Sequence, residues 1–199
     1  MGVLQKLRRR VFRMHHYLVF ERDCEEGALP VLQEGESVVV IDAENLDEHA
    51  DVVNAVQRLA ADAADYFKDV RAGKVVALVI QYQGAVVHYS YVFLRNKSAC
   101  ILGLGKHTAL IGNAFTVPAY RGKGCQSRSV ALRAAIAAGR GFTVVAAETS
   151  PDNVASQRGL QNGGMRRVGS LDLMVVLNSL VIRWRRPPGF ALFGFCLRA

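Results

Sequence analysis

Ten residues near the middle of the chain restrict its fold more than any other stretch: Val117-Pro118-Ala119-Tyr120-Arg121-Gly122-Lys123-Gly124-Cys125-Gln126. An apolar, strand-like run from Ala109 to Val117 precedes them, and the alanine-rich run Ser127–Ala138 follows with helical character. The order is therefore strand, basic glycine turn, helix. In that order the free backbone N–H groups of the first helical turn point back at the turn, and the helix dipole adds positive potential there. Such a junction binds anions, phosphates above all. Gly122 and Gly124 remove side chains where a phosphate must approach the main chain, and Arg121 and Lys123 supply charge. The spacing is neither that of a P-loop nor that of a dinucleotide fingerprint, and two glycines at a strand–helix junction also suit a plain tight turn.

The elements on either side point to an α+β domain. Asp42–Val70 is a helical section whose apolar positions Val52, Val53, Val56, Leu59, Ala60 and Ala63 follow the 3.6-residue period, with a break near Ala61–Ala64 dividing it into two helices. Val75–Tyr82 and Ala85–Leu94 flank Gln83-Gly84 and predict a hairpin. Tyr17–Phe20 and Val38–Ile41 predict short strands, and Cys100–Leu104 a further short strand or edge segment. Phe142–Glu148 is a β-branched strand, and Asp152 or Asn153 caps a helix that Gly163-Gly164 ends. Met165–Leu177 and Leu180–Trp184 predict closing strands. Phe190–Leu197 is an apolar tail suited to packing on the sheet edge or on a partner. With 199 residues, 51% of them hydrophobic, the chain is read as one folded unit, 1–199.

Charge and cysteine usage narrow the partners. Lys6, Arg8, Arg9, Arg10, Arg13, Arg183, Arg185, Arg186 and Arg198 exceed the whole net charge of +8, so the rest of the chain is near neutral. A basic N-terminal arm (1–13), with Val3, Leu4, Leu7 and Val11 on one helical stripe, and a basic, apolar tail (183–199) suggest an anionic partner: an acidic carrier protein, a phospholipid surface, a phosphorylated substrate or nucleic acid. A solubilising surface is the plainer alternative. Nucleic acid is the weakest choice, because Trp184 is one aromatic in an arginine cluster without a recognised module. No apolar run reaches the ~20 residues of a membrane span, no signal-peptide core is present, and Lys6 breaks the myristoylation pattern. Cys24, Cys100, Cys125 and Cys196 are widely spaced, which predicts reduced thiols, a cytoplasmic location (with peripheral membrane contact an alternative) and no metal site. His15 and His16 are adjacent and point apart, so they do not form a metal pair.

The order of elements, together with the stretch Val117–Gln126, resembles the GCN5-related N-acetyltransferase (GNAT) superfamily. Arg121-Gly122-Lys123-Gly124-Cys125-Gln126 is similar to that family's pyrophosphate signature, Q/R-x-x-G-x-G/A. Asn153-x-x-Ser156 followed by Gly164-Met165 is similar to its N-x-x-[AS] helix and closing G-F. The matching region runs from about Val75 to Val168. The resemblance implies a central mixed, mostly antiparallel sheet flanked by helices and splayed at the strand before the Arg121-Gly122-Lys123-Gly124 turn. It implies acetyl-CoA or another acyl-CoA as co-substrate and an amine-bearing acceptor that attacks the thioester directly. Lys123, Gly124, Cys125 and Gln126 would hold the pyrophosphate, Phe115, Thr116 and Val117 would pair with the pantetheine, and Asn153 and Ser156 would lie near that arm.

Two positions depart from the family pattern. Gln126 stands where the signature ends in Gly or Ala. Leu160 stands where many members carry a tyrosine that protonates the leaving thiolate. The strand before the signature has Asn113 and Thr116 but no carboxylate, which leaves Glu148, on the next strand, as the candidate base. His88 is a second candidate, with Tyr89 beside it to line an acceptor pocket. The same departures allow two alternatives: a longer-chain acyltransferase fed by a carrier protein, and a catalytically degenerate domain that binds CoA or another anion.

Overall fold

The protein is described from a computed structural model covering residues 12–24, 30–60, 62–94 and 97–196. Its elements are β1 (Phe12–Asp23), β2 (Glu36–Ile41), α1 (Ala50–Leu59), α2 (Ala63–Arg71), β3 (Val75–Tyr82), β4 (Ala85–Phe93), α3 (Lys97–Leu102), β5 (Thr108–Thr116), α4 (Cys125–Ala138), β6 (Val144–Thr149), α5 (Val154–Asn162), β7 (Arg166–Val176), β8 (Leu180–Arg185) and β9 (Phe193–Phe195). The strands form one α+β sheet in the order β2-β3-β4-β5-β6-β1-β7-β8-β9. Every pairing is antiparallel except β5 with β6, which α4 connects as a crossover.

Both faces of the sheet are covered by helices. On one face Val52 and Val56 of α1 and Ala63, Phe67 and Val70 of α2 pack on Val75, Ala77, Val79, Tyr91 and Phe93. On the other, Val130, Ala134 and Ala137 of α4 and Leu160 of α5 pack on Leu18, Phe20, Val76, Val92, Ile111, Val145 and Ala147. Covered on both sides, Val75–Ile80 of β3 is buried throughout, which explains its unbroken apolar run. Gln83 and Gly84 both have positive φ, as a two-residue hairpin turn requires.

The paired helices, the β3–β4 hairpin and the Asn153 cap match the sequence expectations. Several other elements differ from them. The helical section begins at Ala50, not Asp42, because Asp42 and Asn45 bond locally: Asn45 Oδ1 accepts from the Asp42 N–H, and Asp42 Oδ1 from the Glu44 N–H. Cys100 and Ile101 lie in the short helix α3, a run too short for its apolar content to decide between helix and strand. The strand expected over Tyr17–Phe20 extends from Phe12 to Asp23 and lies between β6 and β7. Residues 1–11 of the expected basic arm lie outside the described residues, and Arg13 belongs to β1. The tail does reach the sheet edge, where β9 pairs with β8.

Two expectations about the ends are corrected. Cys100 and Cys196 form a disulfide across a sequence separation of 96, so only Cys24 and Cys125 are free thiols, and the cysteine argument for a reducing compartment loses its basis. Arg183, counted above in a basic tail, is fully buried. Its guanidinium donates to the carbonyls of Cys100, Ile101 and Ala191, joining α3 to the chain's last segment. Consumed by these bonds, it presents no charge to a partner.

Candidate active site

Strands β5 and β6 pair over three positions only, Thr108 with Val144, Ala109 with Val145 and Leu110 with Ala146. Beyond them the strands part. A bulge helps to cause this: Tyr89 pairs with Phe115 and Tyr91 with Gly112, leaving an irregularity between, and Asn113 has a positive φ of 49°. The opening is a cleft of about 620 Å³. Ile111, Gly112 and Thr116 line one side, Ala147 and Glu148 the other, and the N-terminal turn of α4 closes one end.

That turn is built to receive an anion. Gly124 precedes α4 in the left-handed conformation at φ 76°, and no side chain caps the helix or places an acid in its first turn. Arg128 Nη1 donates to the Lys123 carbonyl and its Nη2 contacts Glu36 at 2.5 Å, which ties the turn to β2. Gln126, the oversized residue, is accommodated from α5. A Cβ on Gly159 would lie 2.6 Å from Gln126 Cγ, and one on Gly163 would lie 2.6 Å from Val130 Cβ. The two glycines thus let α5 approach α4 with almost no clearance, and the larger Gln126 fills the space that Gly159 leaves open.

Of the candidate residues, Phe115, Thr116, Arg121, Gly122, Gly124, Cys125, Gln126, Glu148, Asn153 and Ser156 meet at the cleft. Val117 and Lys123 do not line it: the Val117 N–H is bonded to the Val87 carbonyl, and the Lys123 ammonium stacks 4.4 Å over the Tyr120 ring. Asn153 is the cap of α5, its Oδ1 accepting from the Ser156 N–H at 3.1 Å. Cys125 is buried, and desolvation raises its thiol pKa, which is unsuited to a nucleophile.

The two candidate bases are separated by the pleat of the sheet. His88 faces α4 and is completely buried, with its Nδ1 2.8 Å from the Thr116 hydroxyl and its Nε2 without a partner. Burial, with the charges of Arg133 and Arg128, lowers its pKa to about 3. An imidazole that resists protonation so strongly and lines neither the cleft nor the other cavities described is less well placed as a base than Glu148. Glu148 lies in the cleft wall, and burial raises its pKa to about 7 against a lowering backbone hydrogen bond.

Sequence reasoning missed three groups. A second cavity of about 210 Å³ shares Asn113, Ala114 and Phe115 with the cleft and is otherwise lined by Asp62, Ala63, Tyr66, Tyr89 and Tyr91. Tyr89, the sequence candidate for lining an acceptor pocket, is among these residues. Asp62 and Tyr66 come from α2 and its start, too distant in sequence for any motif to report. Asn113 Nδ2 donates to the Tyr66 hydroxyl at 2.5 Å. Arg133 of α4 also lines the cleft although it is fully buried, and burial brings its pKa down to about 9. Among the described residues no group of three or more His, Cys, Asp or Glu that would hold a metal occurs, and no helix is long and apolar enough to cross a membrane.

No family model matches the sequence, and no curated protein matches it. Solved structures do match in shape. The aminoglycoside N-acetyltransferase AAC(6')-Iy, in complex with CoA, aligns with a TM-score of 0.52 at 17% identity, over 66% of this chain and 92% of its own. A GCN5-related N-acetyltransferase from Kribbella flavida aligns at 0.52 and 12% identity, over 87% of this chain and 62% of its own. Another, from Sphaerobacter thermophilus, aligns at 0.54 and 16% identity over 86% of this chain. The chain spans only 54% of that last, longer protein. These likenesses, with the splayed β5–β6 pair and the uncapped turn at α4, establish that the chain has the fold of the GCN5-related N-acetyltransferases.

Proposed function

We propose that the protein, taken as one catalytic unit over residues 1–199, transfers an acetyl or other acyl group from acyl-CoA to an amine. The observation that carries this reading is the cleft itself: two parallel strands part after three pairs, and the gap ends on an uncapped, acid-free helix N-terminus. In this reading the N–H groups around Gly124–Gln126 hold the pyrophosphate with Arg121, the main chain of Phe115–Thr116, on the edge of β5 that β6 no longer pairs with, meets the pantetheine, and Asn153 and Ser156 flank that arm. The acceptor enters from the other face of the sheet, through the cavity of Tyr66, Tyr89 and Asp62. Glu148 faces that side: burial above all raises the pKa of both Tyr17 and Tyr66, and the Glu148 charge adds to it.

The amine nitrogen attacks the thioester carbon, the nitrogen loses a proton to the Glu148 carboxylate, and the carbon–sulfur bond breaks to release CoA as thiolate. A carboxylate with a pKa of about 7 is half ionised at neutral pH and accepts a proton more readily than an exposed one. A binding-only role is the second reading, and Leu160 favours it, an apolar residue in the cleft where a proton donor to the thiolate would stand. A thermal-shift panel with CoA, acetyl-CoA and longer acyl-CoAs, followed by thiol release across an amine panel, tests both. No shift with any of them defeats the acyl-CoA reading. Shifts without thiol release leave the binding-only role.

A further inference from the structure

Arg133 is a fully buried cation with no anion beside it. It sits on the third turn of α4, facing β4 and β5. Its Nε donates to the Ser129 carbonyl and its Nη2 to the Ser129 hydroxyl, both at 3.1 Å. Isolated buried charges are costly, and a guanidinium surrenders its proton with difficulty, so such a group is normally paired. Here the groups around it do not neutralise it. His88 of β4 is held neutral by burial, Ser90 of β4 contacts Ser129, and Arg128 of α4 is matched by Glu36. Glu148 of β6 and Arg158 of α5 line the same cleft, yet no ion pair joins Arg133 to a carboxylate of the described residues, and burial lowers its pKa. No carboxylate therefore compensates it.

Its position shows where an anion would come from. Arg133 shares the cleft wall with Ile111 and Gly112, the first residues of β5 beyond the last β5–β6 pair, and with Leu160. This is the end toward the β5–β6 seam, remote along α4 from the turn that receives the phosphates: nine residues of helix lead from Gly124 to Arg133, about 13 Å at ~1.5 Å per residue. An extended pantetheine anchored at the turn places its sulfur at that depth.

We infer that Arg133 is a catalytic residue that holds the leaving thiolate of CoA by charge, in place of the proton donor that Leu160 does not supply. The inference rests on the acyl-CoA reading above. In the step concerned, the carbon–sulfur bond breaks and its electron pair stays on sulfur. The resulting thiolate lies against the guanidinium, which remains protonated, while the amine's proton rests on Glu148 and passes to the thiolate as CoA departs. No oxidant, reductant or metal is required.

The test compares CoA with desulfo-CoA, which keeps every phosphate contact and lacks the thiol. In the wild-type protein, the bound CoA thiol, followed by its thiolate ultraviolet band from pH 6 to 10, should titrate at least about one pH unit below the ordinary thiol value near 8.5. CoA affinity should correspondingly rise roughly tenfold over that of desulfo-CoA across the same range. In Arg133→Met the thiol should return to its free value with desulfo-CoA affinity unchanged, and Arg133→Lys should restore part of the lowering. A bound thiol that titrates as it does free in solution, with both ligands bound equally tightly at every pH, overturns the role of Arg133 and leaves the acyl-CoA reading intact. If neither ligand binds the wild-type protein, the acyl-CoA reading fails and takes this one with it. The wild-type titration decides the matter even if Arg133→Met does not fold.

Discussion

Replacing Glu148 by glutamine should make the protein more stable and less active at once, with the stability gain absent below about pH 4.5 and complete only above about pH 7. Glutamine keeps the shape and removes the charge. The carboxylate titrates near 4.5 in the unfolded chain and near 7 in the cleft, because burial opposes its ionisation. Between those values the unfolded chain has lost the proton that the native state keeps, so native stability falls as pH rises from about 4.5 to about 7 and is level above. At ~1.4 kcal/mol per pH unit the loss is at most roughly 3.5 kcal/mol. Glu148 meets water in the open cleft, so a realised value of about 1–2 kcal/mol is expected. Glu148→Gln should thus raise the melting temperature by roughly 3–6 °C at pH 8 and leave it unchanged at pH 4.5 or below. Calorimetry at both values, with thiol release measured at pH 8, makes the comparison. Equal melting temperatures for the two proteins at pH 8 would refute the buried-carboxylate argument. Turnover kept within about threefold would refute its role as base.

Other consequences of the structure are open to simple experiments. Gly124→Val forces a β-branched residue into a left-handed backbone beside Arg128 and should abolish the CoA-induced thermal shift; an undiminished shift would put the phosphate site elsewhere. Gly163→Ala drives a methyl against the branched Cβ of Val130 and should cost about 1–3 kcal/mol in denaturant titration, whereas Gly159→Ala meets only the pliable Gln126 side chain and should cost under about 1 kcal/mol but weaken CoA binding. Arg183→Met leaves three buried carbonyls without a donor and should cost about 3 kcal/mol or more; a loss under about 1 kcal/mol would show that water replaces it. Unfolded but unreduced protein should take up two equivalents of an alkylating reagent, and four after reduction; four without reduction would mean that Cys100 and Cys196 are not joined.

The parts of the structure legible in the sequence are those fixed by neighbouring residues. The Gln83-Gly84 hairpin, the Asn153 cap and the Gly124 turn each depend on the local backbone, and so they announce themselves over a few positions. What escaped reading depends on residues far apart in sequence. Nothing in Phe12–Asp23 says that it will lie between β6 and β7, nor do Cys100 and Cys196 carry a mark of their pairing. Arg183 reads as one more arginine in a basic tail until α3 folds beneath it. Arg133 is hidden in an alanine-rich helix, and only the tertiary structure shows that its face of α4 turns inward. Glu148 was the first sequence candidate and His88 the second, and the pleat of the sheet divided them, His88 toward α4 and Glu148 toward Tyr66 of α2.

The three-pair contact between β5 and β6 has a mechanical consequence. The sheet is two leaves, β2-β3-β4-β5 and β6-β1-β7-β8-β9, stitched along a seam only from Thr108 to Leu110. The angle between the leaves, and with it the width of the gap for an acyl chain, is set by what wedges against both of them. That wedge is α4, whose Val130, Ala134 and Ala137 touch residues of each leaf. If the cleft takes acyl-CoA as proposed, its acyl-chain preference should therefore be adjustable from behind the sheet. Enlarging Ala134 or Ala137 would pry the leaves apart without altering a single residue in contact with the substrate.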